Sequence, residues 1–142
     1  HLAVNATRIG QAEPTLPTRL IAMDGTWEFA ASDDAADLLA DLVAGERAAR
    51  RAPQPLFPLA ASAFAEQRLA LASGGRAKAD PLSKAAIAYH GSSFARGRCD
   101  ADDPWIALCF ASEDPFATRA DDFAALAEAL WDPLLAARLD AR

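Results

Sequence analysis

Two short runs of alternating apolar and polar residues lie near the start of the chain, on either side of Asp24-Gly25. This dipeptide between alternating runs predicts a β-hairpin with a two-residue loop. A type I′ loop needs a positive φ at both positions, and Asp-Gly is among the dipeptides that adopt it most readily. The pairs would be Ala22 with Trp27 and Leu20 with Phe29. These four side chains are expected to share one buried face. An isolated hairpin is marginally stable in water, so this one must pack on helices or join a larger sheet.

Five amphipathic stretches follow the hairpin, and each has the apolar spacing of three and four that is typical of a helix. They contain residues 38–43, 60–72, 82–89, 105–109 and 123–135. A proline-rich segment lies between the first two, and Leu56 and Phe57 are expected to anchor it on the core. Ahead of the hairpin, a short apolar run before Gly10 predicts a helix end followed by an extended linker.

Aspartate, glycine and proline mark the expected helix boundaries. Asp80-Pro81 and Asp103-Pro104 each predict an N-cap followed by proline at the first helical position. Gly91 predicts a helix end. Thr118 is expected to cap the last helix, and Pro133 should kink or interrupt that helix.

This order of elements predicts an α+β fold that is predominantly α-helical, with one N-terminal β-hairpin followed by about five helices. The 142 residues suffice for one domain. We predict a single domain over residues 1–142, with the helix end and hairpin in 1–31 and the helical part in 32–142. Because the chain begins with His1 rather than methionine, the domain is expected to be a part of a longer protein.

Composition disfavours several functional classes. The formal net charge is −6, whereas a duplex-DNA binder needs a basic surface for its phosphate contacts. Cys99 and Cys109 match no zinc spacing, and free thiols in a reducing cytosol are the expected state. No apolar run approaches the ~20 residues of a membrane span. A cytoplasmic protein without membrane contact is therefore expected.

Asp100, Asp102 and Asp103 suggest a magnesium site, since hard cations prefer carboxylate oxygens. The alternative is that Asp103 caps a helix while its neighbours interact favourably with the helix dipole. We favour the caps, because no glutamate and lysine pair stands at a usable spacing nearby.

His90 follows Tyr89 at a predicted helix end. As a general base, His90 would need an orienting partner and a nucleophile. Ser92, Ser93 and Cys99 are the candidate nucleophiles close in sequence. A histidine placed at a helix C-terminus by the dipole is the interpretation that we prefer.

Arg96 and Arg98 flank Gly97 in the next turn. They are suited to grip a phosphate or the carboxylates of a partner. Internal salt bridges to the aspartates downstream are the other possibility, and the sequence leaves both open. We take Arg96, Arg98, Tyr89 and His90 as candidate docking residues, and we predict no catalytic and no metal-binding residue in this chain.

The three tryptophans are candidates for stacking on single-stranded nucleic acid. Trp27, Trp105 and Trp131 each lie on a predicted apolar face, so core packing is the preferred interpretation. The sequence contains no Walker A loop, GxSxG, HExxH or GxGxxG motif.

Taken in order, these segments resemble the C-terminal part of the exodeoxyribonuclease V gamma subunit, RecC. The resemblance is best from Lys84 to Trp105, an alanine-rich helix that ends in an aromatic residue and is followed by Arg-Gly and Asp-Asp before a second aromatic residue. The helix end at 1–6, the hairpin around Asp24-Gly25 and the segment Pro55–Pro58 support it. His90 and Arg98 stand where the family has glutamates.

The resemblance implies a non-catalytic part of the RecBCD helicase–nuclease, a complex that binds DNA double-strand ends and degrades them until a recombination hotspot is recognised. The hairpin would then be the end of a nuclease-like sheet that lacks an active site. The implied partners are the beta and alpha subunits, with DNA bound through the full complex. ATP and Mg²⁺ would be used by other subunits, so no cofactor is expected in this segment.

Two other hypotheses remain open from the residues alone. One is a small independent hydrolase that uses His90 with the Asp100–Asp103 cluster. The other is a generic helical interaction domain unrelated to DNA.

Overall fold

The computed structural model describes residues 2–23, 25–74, 79–92 and 98–139. This part of the chain is 63% helical, with seven α-helices and a small three-stranded antiparallel sheet. The predicted α+β, mostly helical class is therefore confirmed. Contacts divide the chain into two compact units, residues 1–52 with 133–142 and residues 53–132. The single domain over residues 1–142 stays a prediction.

The first unit holds the sheet and two helices. Its elements are α1 (Leu2–Gly10), β1 (Thr18–Ala22), β2 (Gly25–Phe29), α2 (Ala35–Ala49) and β3 (Arg138–Leu139). The second unit is helical. Its elements are α3 (Pro58–Ala72), α4 (Pro81–His90), a 3-10 helix (Asp100–Asp102), α5 (Pro104–Phe110), α6 (Pro115–Thr118) and most of α7 (Ala120–Ala137). None of the described helices combines the length and the apolar character that crossing a membrane requires.

The predicted hairpin forms, but its register was predicted wrongly. Leu20 pairs with Trp27 and Ala22 pairs with Gly25, a displacement of two residues along β2. A Cβ at Gly25 would lie 3.2 Å from the Trp27 ring, so the indole covers the glycine in the observed register. Because the displacement is even, the four predicted residues still share one face. Asp24 itself lies outside the described residues.

The predicted burial of this face is wrong for β1. Leu20 and Ala22 are exposed, whereas Trp27 and Phe29 are half-buried. Strand β3 pairs with β2, which makes β2 the central strand and leaves β1 at the edge of the described sheet. The hairpin thus joins a larger sheet, as its marginal stability requires, through a strand from the far end of the chain.

Asn5, in the middle of α1, is a buried polar residue that the sequence analysis did not single out. Only 1% of its surface is exposed. Its Nδ2 donates to the Leu16 carbonyl at 3.0 Å, and its Oδ1 accepts from the Leu16 N–H at 2.8 Å. One side-chain amide therefore satisfies both backbone groups of Leu16, as a neighbouring strand would. This pair fixes the extended segment before β1 against α1.

The core of the second unit is built around Phe57, which is 1% exposed. Its ring centroid lies 4.6 Å from that of Tyr89, 5.1 Å from Phe110 and 6.2 Å from Phe123. Buried alanines on the helices that surround it allow close packing. These alanines are Ala60, Ala61, Ala85 and Ala127. The predicted anchoring of the proline-rich segment by Phe57 is thus confirmed.

The Asp-Pro pairs begin helices, as predicted. Asp80 accepts a hydrogen bond from the Ser83 N–H at 2.9 Å, at the start of α4. Asp103 accepts from two amides at the start of α5. Gly91 ends α4 with φ +81°, a conformation that glycine adopts without a steric penalty.

The C-terminal helices differ from the prediction in two respects. Asp114 caps an additional short helix, α6, so Thr118 is the last residue of α6 and does not cap α7. Arg119, with φ −135° and ψ 29°, separates the two helices. Helix α7 runs through Pro133 without the interruption that was one of the predicted outcomes. Proline removes one helical hydrogen bond, and the rest of α7 persists around it.

We expect the substitution Asn5→Ala to lower the free energy of unfolding of the first unit by about 2 kcal/mol, because both polar groups of Leu16 lose their partner. The Leu16 amide should also exchange its hydrogen faster. Thr7→Ala is the matched control, since the Thr7 hydroxyl donates to the Ala3 carbonyl one turn earlier on the exposed side of α1. That variant should stay within about 0.5 kcal/mol of the parent in denaturant unfolding. Equal losses in the two variants would contradict a special role for Asn5.

Candidate interaction site

The segment between α4 and α5 carries two of the four residues that were predicted to interact with a partner, and the other two end α4. Arg96 and Gly97 fall at 93–97, outside the described residues. Arg98 is exposed and forms no ion pair with another described residue. The internal salt bridge considered for Arg98 is therefore not seen in the described part of the chain. The salt bridge considered for Arg96 stays a prediction.

Asp100 is the buried acidic residue of this segment, with 5% of its surface exposed. Its Oδ1 accepts from the Leu59 N–H at 3.1 Å and its Oδ2 accepts from the Ala60 N–H at 2.7 Å. These amides belong to the first turn of α3, where the N-cap residue Phe57 offers no side-chain hydrogen bond. Asp100 therefore supplies the missing N-cap from 40 residues further along the chain. Its negative charge also lies at the positive end of the α3 dipole.

The other two aspartates of the cluster are bound locally. Asp102 accepts from the Cys99 N–H at 3.3 Å, and Asp103 caps α5. Within the described residues, no group of three or more histidine, cysteine, aspartate or glutamate side chains is placed to hold a metal ion. The geometry supports the capping interpretation, although Asp100 caps a distant helix rather than its own. It also weakens the hydrolase hypothesis, because both Asp100 oxygens are engaged by backbone amides.

Tyr89 and His90 are the last two residues of α4, and the first is buried whereas the second is exposed. Tyr89 is 5% exposed and packs between Phe57 and Phe116. The His90 side chain is 46% exposed, and its Nε2 lies 3.3 Å from the Asp114 Oδ2 at the start of α6. His90 thus joins two helix ends. The docking role predicted for these residues stays a prediction, and Tyr89 can serve it only by holding the end of α4 in place.

An exposed apolar face on α5 was missed by the sequence analysis. Trp105 is 76% exposed and Leu108 is 71% exposed, so the core position predicted for Trp105 is wrong. Ile106 and Phe110, four residues apart, pack against the core instead. Trp105 and Leu108 lie on the opposite side with Cys109, which is also exposed. Helix α5 is apolar on both sides, so spacing alone did not reveal which side is buried.

The remaining two tryptophans agree better with the prediction. Trp131 is half-buried and packs against the core of the second unit. Trp27 is half-buried over Gly25 in the hairpin.

A family model described as the RecC C-terminal domain matches residues 1–69. Over these residues the chain is similar to the RecC C-terminal domain family. The match includes the hairpin and the Pro55–Pro58 segment, and it confirms the identification of a C-terminal segment of RecC. The stretch from Lys84 to Trp105, where we placed the best resemblance to RecC, lies beyond the matched residues. No curated protein sequence and no solved structure matches the chain.

The substitution Asp100→Ala is expected to lower the free energy of unfolding of the second unit by about 2–3 kcal/mol, because two amides of α3 lose their acceptor in a buried site. Amide hydrogen exchange at Leu59 and Ala60 should accelerate. Asp102→Ala, two residues further along the same 3-10 helix, should cost no more than about 1 kcal/mol. An Asp100→Ala variant as stable as Asp102→Ala would contradict the capping role.

Burial raises the pKa of Tyr89 above its ordinary value of 10.0, and the nearby acidic side chains of Asp114 and Asp100 and the thiol of Cys99 raise it further. The folded protein therefore keeps the phenol proton at a pH where the unfolded chain releases it. The stability associated with Tyr89 is present below pH of about 10 and is lost as the pH rises through the folded pKa. We expect Tyr89→Phe to remove this alkaline loss.

Because the chain has one tyrosine, the ultraviolet absorbance of phenolate reports Tyr89 directly in an alkaline titration. The folded protein should titrate at a higher pH than the chain in denaturant. Coincident titrations of the folded and denatured chains would show that the Tyr89 side chain is not buried as described.

Proposed function

We propose that this chain is a non-catalytic docking part of the gamma subunit of a RecBCD-type helicase–nuclease. The observation that carries the proposal is the RecC C-terminal domain match over residues 1–69, which indicates part of a RecBCD-type DNA repair complex. Its role in recombinational repair would be to scaffold the subunits and to support DNA-end binding and hotspot scanning. The match also favours this role over a generic helical interaction domain.

The site geometry supports a structural rather than a chemical role. The carboxylates that were candidates for metal binding are used as helix caps at Asp100 and Asp103. The His90 Nε2 lies 3.3 Å from the Asp114 Oδ2, so this contact connects the end of α4 to the start of α6. The exposed apolar side chains of α5 are of the kind found at protein interfaces.

The proposed partners are the beta and alpha subunits of the complex, with DNA held by the assembled machine rather than by this segment alone. The net charge of −6 supports this division, because phosphate contacts require a basic surface. ATP and Mg²⁺ are assigned to the other subunits, and the proposed location is the cytoplasm.

Assembly of the complex tests the proposal. Full-length gamma subunit and a variant that lacks this segment are each mixed with the beta and alpha subunits, and the complexes are separated by affinity capture. We expect the deletion to weaken assembly and the binding of blunt DNA ends at least tenfold. Circular dichroism of the deletion variant checks that the remaining subunit is folded. Undisturbed assembly and undisturbed DNA-end binding would overturn the proposal.

A further inference from the structure

The outward side of α5, here called the α5 face, consists of Trp105, Leu108 and Cys109. Among the described residues of the second unit, Trp105 and Leu108 are the two most exposed large apolar side chains. Large aromatic and aliphatic side chains at this exposure are uncommon on a free surface when they adjoin one another. Tryptophan is also among the residues that contribute most binding energy at protein interfaces.

The α5 face is presented by a firmly held helix. Ile106 and Phe110 pack its inner side against the core, and Asp103 caps its first turn through the Trp105 and Ile106 amides. The 3-10 helix immediately before it is tied to α3 by Asp100. A partner that binds here therefore meets an ordered surface, which lowers the entropy cost of binding.

The charge around the α5 face restricts the kind of partner. Residues 98–119 contain five acidic side chains and two arginines, one at each end: Arg98 is exposed, and Arg119 forms an ion pair with Asp122. Asp100 is buried and Asp114 is paired with His90. Asp102, Asp103 and Glu113 remain exposed. Stacking platforms for single-stranded nucleic acid lie in positively charged grooves. The excess of acidic side chains around the α5 face therefore disfavours DNA and favours a protein segment flanked by lysine or arginine.

We propose that the α5 face docks an apolar segment, flanked by basic residues, of another subunit of the complex. Trp105 and Leu108 are the anchors, and the exposed carboxylates orient the partner. This inference rests on the proposed function, and it names the surface and the chemistry of the contact. The face lies beyond the residues that match the RecC C-terminal domain model.

Substitutions in the full-length gamma subunit test the anchors. Trp105→Ser and Leu108→Ser should each weaken the affinity for the other subunits at least tenfold. Raising the salt concentration should weaken the affinity of the parent as well, because salt screens the attraction between the carboxylates and the basic residues of the partner. Ile87→Ser is the matched control, because Ile87 is a 53% exposed aliphatic residue on α4. The control should remain within about twofold of the parent. Thermal unfolding should be nearly unchanged in all three variants, since the side chains are exposed. Equal affinity of the two α5 variants and the parent would overturn the inference.

Cys109 provides a reporter that does not depend on substitution, because its thiol is exposed on the α5 face. The rate of its alkylation by N-ethylmaleimide, measured by mass spectrometry, should fall at least fivefold when the full-length gamma subunit assembles with its partner subunits. An unchanged rate in the complex would overturn the inference. Protection of Cys109 in the free subunit would overturn it as well, because the same chain would then cover the face. Protection that grows with the concentration of the gamma subunit alone would assign the face to a second copy. Protection by a thymidine oligonucleotide would assign it to DNA.

The two proposals fail in distinguishable ways. If deletion of the whole segment disrupts assembly while the α5 variants assemble normally, the docking function stands and the α5 face is the wrong surface. If deletion itself leaves assembly undisturbed, the proposed function fails as well.

Discussion

The bond between the Asp100 carboxylate and the first amides of α3 is the constraint on which the helical unit depends. It stabilises the N-terminus of a helix whose own N-cap residue, Phe57, is apolar. Phe57 is in turn the centre of the aromatic core. The start of α3 thus contains the central aromatic residue of the core and contacts a buried carboxylate from the 3-10 helix, about 40 residues further along the chain. Loss of that carboxylate would leave the buried Ala60 amide and the partly buried Leu59 amide without this acceptor. The 3-10 helix would also lose its attachment to α3.

The orientation of the α5 face follows from the same constraint. Because Asp100 fixes the 3-10 helix, and Asp103 begins α5 directly after it, the orientation of α5 is set within a few residues. Ile106 and Phe110 then reach the core, and the opposite side of the helix faces outward. The acidic residues that raised the question of a metal site accept hydrogen bonds from backbone amides at the starts of helices.

Local signals in the sequence predicted the elements well, because capping and turn formation involve neighbouring residues. The Asp80 and Asp103 caps and the Gly91 helix end are examples. The features that were missed depend on distant contacts. The Asp100 cap joins residues about 40 apart, the exposed side of α5 is decided by the core around Phe57, and the hairpin register depends on how Trp27 covers Gly25. Composition and spacing contain no information on such pairings.

The most direct test of the central claim, that this segment docks a partner subunit through α5, is an electron cryomicroscopy structure of the assembled complex that contains the full-length gamma subunit. The account predicts that Trp105 and Leu108 are buried against an apolar segment of another subunit, with lysine or arginine side chains facing Asp102 and Glu113. An α5 face that is open to solvent, or that contacts DNA in the assembled complex, would contradict the account.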